Sequence, residues 1–430
     1  MNKLRLRQRQ NFWGMGIMLF GLLACSAPAK PKEATYANPV LGGDFPDPSV
    51  IRAGDDFWAT ATTSEWAPIF PLLRSRDLVN WKIEGAVFTK RPEWSVGNYA
   101  APELTEFRRR YLVYYVARKK DGPLTIAVAS AARPGGPYTD HGPLVSQEMG
   151  SIDPDMTLDE AGDPHLIWKE DGDSRKKPAV IWAQKLNDDG TQLVGERKEL
   201  IRNDAPWEGD SVEGPFVLRH REWFYLFYSG NGCCNTNCNY ALGVARAKNL
   251  LGSWEKNPAN PILAGNDTWK CPGHGSIVAD AEGHQYLLYH AYSATDSIYV
   301  GRQTMLDAVT WSSDWPAINH GKGPSKRTMA PLGVPSLHGE NTFFDDFTLS
   351  NLRPEWQWPS ASEPNYQIIS SGSGRIVLSP AAAWLRLVIA KTPSAWLPVA
   401  GNSCSGGGKK EITKTSSPGI SPTHRKSFCV

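Results

Sequence analysis

A five-fold recurrence constrains this chain more than any other feature. Asp47-Pro48-Ser49-Val50, Ala101-Pro102-Glu103-Leu104, Asp153-Pro154-Asp155-Met156, Glu213-Gly214-Pro215-Phe216-Val217 and His274-Gly275-Ser276-Ile277 share one layout. After a short polar turn, each leads into an aromatic and β-branched run: Phe57-Trp58-Ala59-Thr60, Tyr111-Leu112-Val113-Tyr114-Tyr115, His165-Leu166-Ile167-Trp168, Phe224-Tyr225-Leu226-Phe227-Tyr228 and Tyr286-Leu287-Leu288-Tyr289-His290. Strand, turn, strand is the simplest reading of such a unit. The copies lie roughly 50 to 60 residues apart, a period that suggests propeller blades rather than a sandwich or an α/β sheet. The recurrence therefore predicts an all-β, five-bladed β-propeller. Blades surround a central channel, so equivalent positions at the starts of successive strands converge on one small site. Asp47, Asp153 and Glu213 are expected to meet there.

At 430 residues the chain exceeds an ordinary single domain, so a large propeller with a smaller appendage is the natural expectation. Its 17 tryptophans suit both blade packing and flat surfaces for sugars. Residues 1–24 combine Lys3, Arg5, Arg7 and Arg9 with the apolar run from Met15 to Ala24, which is short for a membrane span and reads as a signal peptide. Without those four cations, 42 basic residues face 44 acidic ones, a net −2 in place of +2, and no surplus for nucleic acid remains. Leu22-Leu23-Ala24-Cys25 resembles a bacterial lipoprotein processing site. The mature protein is then exported and anchored through lipid on Cys25, in the periplasm or on the cell surface; an ordinary secretory peptide gives a secreted protein instead. Residues 25–35 read as a tether. Cys233, Cys234, Cys238 and Cys271 cluster, and export permits disulfides among them; a zinc site with His274 is the weaker alternative, since the spacing matches no common knuckle.

The opening of the first blade, Asn38-Pro39-Val40 followed by Phe45-Pro46-Asp47-Pro48-Ser49, resembles that of glycoside hydrolase family 43. Ser75-Arg76-Asp77-Leu78-Val79-Asn80-Trp81, Ala101-Pro102-Glu103, Ser151-Ile152-Asp153-Pro154, Val212-Glu213-Gly214-Pro215, Gly273-His274-Gly275-Ser276, and Gly301-Arg302 ahead of Asp314-Trp315-Pro316 follow in the family's order. Single Asp-Pro pairs carry no weight, but ordered motifs in register do. The resemblance covers roughly residues 36–320, the expected propeller. Residues 321–340 read as a linker. Residues 341–380, with Asn341-Thr342-Phe343-Phe344-Asp345-Asp346-Phe347 and Trp356-Gln357-Trp358, resemble the start of the β-sandwich module often attached to this family. A complete sandwich takes about 100 residues. The module therefore looks partial, and the Ala-rich, then Ser/Gly/Lys-rich stretch 381–430 reads as a disordered or aberrant tail.

Hydrolysis of a glycosidic bond with inversion needs a protonated carboxyl for the leaving oxygen and an ionised one for the attacking water, about 6.5–9.5 Å apart. The resemblance implies that Asp47 is the base, Glu213 the acid and Asp153 the carboxylate that holds and tunes the acid. A neighbouring negative charge and partial burial are expected to raise the Glu213 pKa. The resemblance further implies that Arg302 orients substrate and that His274 positions a calcium ion or a water network, as in some members; no cofactor is otherwise required. Trp66, Phe45 and Trp207 lie near the motifs and serve either as walls of a sugar subsite or as blade packing. The activity implied is that of an exo-acting α-L-arabinofuranosidase or β-xylosidase on plant polysaccharides or oligosaccharides, with endo-arabinanase the nearest alternative. A non-catalytic glycan-binding propeller is the alternative from another class.

Overall fold

The computed structural model describes residues 34–172, 175–311, 314–331, 345, 349–362, 364, 366–369, 375–378, 386–387 and 410–412. The expected signal peptide and Cys25, most of the tether, part of the module and most of the tail lie outside the described residues.

Five four-stranded antiparallel sheets follow one another along the chain. Their first strands are Ser49–Ala53, Ser95–Phe107, Ser151–Leu158, Val212–His220 and Trp269–Ala279. These pack against one another in a closed ring, with that of blade 5 returning to that of blade 1. The expected five-bladed propeller is thereby formed.

Side-chain alternation explains why the second strands read as continuous apolar runs. In blade 2, Val113, Tyr115 and Ala117 enter the core shared with blade 1, whereas Leu112, Tyr114 and Val116 enter the core shared with blade 3. In blade 4, Phe224, Leu226 and Tyr228 face blade 3, and Tyr225 and Phe227 face blade 5. A strand buried on both faces needs apolar residues at odd and even positions alike. Five such clusters, one between each pair of neighbouring blades, make up the propeller core.

The ring is locked by the first residues of the expected propeller, which pair with a segment that the sequence reading placed beyond it. Thr35–Ala37 pairs antiparallel with Arg327–Met329. The Asn38 amide donates to the Leu306 carbonyl and Ser325 Oγ, and its Oδ1 accepts the Leu306 N–H. The expected linker therefore begins about ten residues late: residues 321–331, rich in Gly, Pro and Ser, belong to the closure because backbone pairing rather than apolar side chains holds them. Beyond them, Trp356–Pro359 pairs with both Arg386–Leu387 and Trp66–Ala67, and Tyr366–Ile369, Arg375–Leu378 and Lys410–Ile412 form a second small sheet. The described parts of the expected tail are thus strands.

Candidate active site

The recurring motif is a β-bulge. In blade 3, Ile152 pairs with Lys169 and Asp155 with Ile167, so Asp153 and Pro154 together oppose Trp168. Ala101-Pro102, Gly214-Pro215 and His274-Gly275 occupy the same place in blades 2, 4 and 5. The first residue of each bulge is left-handed, with φ of 44° at Ala101, 56° at Asp153, 57° at Gly214 and 43° at His274; Asp47, just ahead of its strand, has φ 53°. Asp and Gly tolerate this region, and a bulge re-aims the side chain it carries. The register corrects one expectation. Asp47 and Asp153 are equivalent, but their counterpart in blade 4 is Gly214, and Glu213 stands one residue earlier. A Cβ on Gly214 would lie 2.8 Å from His274 Cγ, so this position leaves room for the imidazole.

Asp47 is 6 % exposed and held from several sides. Arg302 Nη1 donates to Oδ1 at 2.8 Å, and the Thr62 hydroxyl donates to Oδ2 at 2.7 Å. Thr62 Oγ1 in turn accepts the Ala101 N–H at 2.7 Å, which ties the carboxylate to the next blade's bulge. His290 Nδ1 lies 3.2 Å from the Asp47 backbone nitrogen and 3.1 Å from Asp47 Oδ1. Burial pushes His290 down to about 4, with the Arg302 charge adding to it. Burial by itself would raise Asp47, but Arg302 and then His274 outweigh it and hold the carboxyl well below its usual range.

Asp153 Oδ2 accepts the Gly214 N–H at 2.9 Å. Burial raises its pKa to about 7; His274 and Lys169 pull downward, and Glu213 and Asp47 push upward. Glu213 departs from expectation. Burial does push it up, yet the Lys169 ammonium, 2.9 Å from Oε2, reverses the sign and holds it below its ordinary value. Lys169 comes from the second strand of blade 3, Pro164–Glu170, and is 1 % exposed.

His274 Nδ1 stands 3.5 Å from Asp47 Oδ1 and 3.8 Å from Asp153 Oδ2, joining the two equivalent carboxylates. These oxygens are already bound to Arg302 and the Gly214 amide. Calcium takes six to eight oxygen ligands. Among the described residues no such set of protein oxygens gathers on His274, so a calcium ion held there would take most of its ligands from water.

Arg302 and His274 therefore join the carboxylates as expected, and the three aromatic residues divide. Phe45 is 1 % exposed within the core of blades 1 and 5, not on a sugar-facing wall. Trp207 packs against the core of blades 3 and 4 and lies 5.6 Å from Tyr228; Gly230 and Gly243 make room for its indole, so packing is its role. Trp66 remains half-buried, in the short strand Trp66–Ala67 that follows Thr62. Cys238 bonds to Cys271 and Cys233 to Cys234, leaving no thiolate among them for the zinc alternative. Sequence reasoning missed Thr62, Lys169 and His290. Lys169 had a signal: a cation ending the apolar run Leu166-Ile167-Trp168.

A model described as "Glycosyl hydrolases family 43" matches residues 36–316. The xylosidase/arabinosidase 43B of Humicola insolens is 27% identical over 79% of this chain and 65% of its own length. The extracellular endo-α-(1→5)-L-arabinanase 1 of Bacillus subtilis is 26% identical over 74% of this chain and 100% of its own length. Among solved structures, the GH43 BlXynB protein of Bacillus licheniformis superposes with a TM-score of 0.67 at 27% identity, covering 80% of this chain and 68% of that one. The chain spans 57–65% of the length of the first curated relatives it matches.

Proposed function

Because the chain belongs to glycosyl hydrolase family 43, which its residues 36–316 match, we propose that it is an inverting glycosidase releasing L-arabinofuranose or D-xylose from plant cell-wall polysaccharides or oligosaccharides. The observation that carries this reading is the gathering of Asp47 and Asp153 around one imidazole, with Glu213 next to the amide that Asp153 binds. Asp47, kept ionised by Arg302, removes a proton from water as its oxygen attacks the anomeric carbon. Glu213 gives its proton to the glycosidic oxygen, which departs with the electron pair of the broken C–O bond. Asp153 holds the backbone beside Glu213 and favours its protonated form.

The test is hydrolysis of para-nitrophenyl arabinofuranoside, para-nitrophenyl xyloside and linear arabinan side by side, with proton NMR of the first sugar formed. The inverted anomer is expected, together with losses of about 10²-fold or more in folded Asp47→Asn and Glu213→Gln variants. Initial release of the retained anomer, or near-normal activity in either variant, would overturn the roles. Internal cleavage of arabinan without release of monosaccharide would favour the endo reading, and no turnover at all the glycan-binding one.

Export with a lipid anchor on Cys25 is part of the same proposal. It is supported by the Leu22-Leu23-Ala24-Cys25 string and by two disulfides that suit an oxidising compartment. Labelling with a clickable fatty acid that marks the wild type but not Cys25→Ser is the expected outcome; an unlabelled wild type would refute it.

A further inference from the structure

A buried lysine on a proton-donating carboxyl calls for an explanation. Lys169 Nζ lies 2.9 Å from Glu213 Oε2, 3.2 Å from Asp171 Oδ1 and 3.1 Å from Ser211 Oγ. Three oxygens thus face the three donors of an ammonium group. Its side chain is 2 % exposed, against 15 % for that of Glu213 and 18 % for that of Asp171. An ion removed this far from water is costly unless its partners are fixed. Besides Asp171 of its own blade, the ammonium reaches across from blade 3 to Glu213 on the first strand of blade 4.

We propose that Lys169 is a positioning residue for proton donation: it holds Glu213 in one orientation and neutralises the carboxylate that Glu213 becomes when its proton passes to the departing sugar oxygen. This rests on the acid role assigned to Glu213 above. During the step the C–O bond breaks, its electron pair stays on the leaving oxygen, and the Glu213 proton forms the new O–H bond. Negative charge appears on Glu213 as bond breaking proceeds, so a fixed cation at 2.9 Å attracts the transition state more than the neutral ground state. The design also has a cost at high pH, because the same cation makes Glu213 lose its proton earlier.

Two signatures follow that mere structural support would not produce. A dinitrophenolate leaves without protonation, whereas a sugar alkoxide does not, so the effect of Lys169 should depend on the leaving group. Lys169→Met is expected to lower plateau kcat by about 10-fold or more on an oligosaccharide while changing a 2,4-dinitrophenyl glycoside only slightly. The alkaline limb of kcat/KM should move up by about one pH unit or more, since Glu213 then keeps its proton longer. Lys169→Arg, which retains the charge, should leave that limb nearer the wild-type position.

Lys169→Met removes the ammonium 3.2 Å from Asp171 Oδ1. Should it fail to fold, Lys169→Met/Asp171→Asn removes both charges and should show the same leaving-group dependence and upward limb. Equal losses on both substrates, or an unmoved limb in a folded variant, would overturn the proposal. Glu213→Gln, assayed in parallel, separates the two levels: if it retains activity on the oligosaccharide, the acid assignment itself has failed, and if only the Lys169 signatures are absent, the assignment stands without this role for Lys169.

Discussion

The Gly214 N–H donates to Asp153 Oδ2 at 2.9 Å, so the third carboxylate is bonded to the amide that directly follows Glu213. Asp153 thus acts on Glu213 through the backbone as well as through its charge, and two substitutions divide these effects. Asparagine keeps an acceptor oxygen but no charge, whereas alanine keeps neither. Asp153→Asn should reduce kcat by roughly 10-fold and Asp153→Ala by roughly 10²-fold. Because Asp153 is raised to about 7, the asparagine variant should also lose an ionisation from the neutral part of the kcat/KM profile. Identical rates for the two variants would show that the Gly214 hydrogen bond has no part in catalysis.

Gly214 supports the acid in a second way. Its φ is 57°, and a Cβ there would lie 2.8 Å from His274 Cγ. Gly214→Ala therefore combines a left-handed alanine, costing about 1–2 kcal/mol, with displacement of the imidazole between Asp47 and Asp153. The expected result is a lower Tm and a fall in kcat of about 10-fold or more. Adding His274→Ala should restore part of the Tm without restoring activity. If the single variant matches the wild type in both measurements, the close packing of this bulge is unimportant.

The fold was legible because period-2 burial and the bulge both leave marks in sequence. Strands buried on two faces appear as runs such as Tyr111-Leu112-Val113-Tyr114-Tyr115, and the bulge is marked in four of the five copies by Pro after its left-handed residue. The site was legible only in part. Asp47, Asp153, Arg302 and His274 meet as the ordered motifs implied, whereas the one-residue offset of Glu213 is visible only in strand pairing. Thr62 reaches Asp47 from a loop with no motif. The low pKa of Glu213 depends on Lys169, 44 positions away, and no local signal reports that contact. Phe45 lies only two residues before Asp47 in sequence, yet it is buried in the core of blades 1 and 5, and the left-handed backbone at Asp47 takes that stretch out of simple strand alternation.

A third prediction concerns stability and pH. Asp155, 2 % exposed, accepts the Val217 N–H at 2.9 Å, and burial raises its pKa to about 7. The folded state then binds a proton that the unfolded chain has released across the window from the ordinary carboxyl value to about 7. Stability from this group is full below that window and falls as pH rises through it, by about 1.4 kcal/mol per unit. Asp155→Asn keeps an acceptor and removes the titration. Its Tm relative to wild type should therefore be more favourable at pH 8 than at pH 5, read by calorimetry at both values. A difference that is constant with pH, or of the opposite sign, would mean that Asp155 is ionised in the folded state.

The C-terminal region divides into a part that braces the site and a part that does not. Trp358 pairs with Ala67 and Pro359 with Trp66, at the end of the loop on which Thr62 holds Asp47 Oδ2. Trp358 also packs against the core of blades 1 and 2. Among the described residues beyond Pro380, Arg386–Leu387 pairs with this strand, on its other edge. Ending the chain after Pro380 should therefore leave kcat within about two-fold of wild type and Tm nearly unchanged, since edge pairings of two and three residues, with Arg386–Leu387 and Lys410–Ile412, contribute little. Ending it after Pro331 removes the pairing with Trp66–Ala67, so Tm should fall by several degrees and kcat several-fold as Thr62 loses its fixed position. Equal behaviour of the two truncations would show that Trp356–Pro359 does not support the base, and a large loss on removing only residues 381–430 would show that the tail belongs to the folded unit.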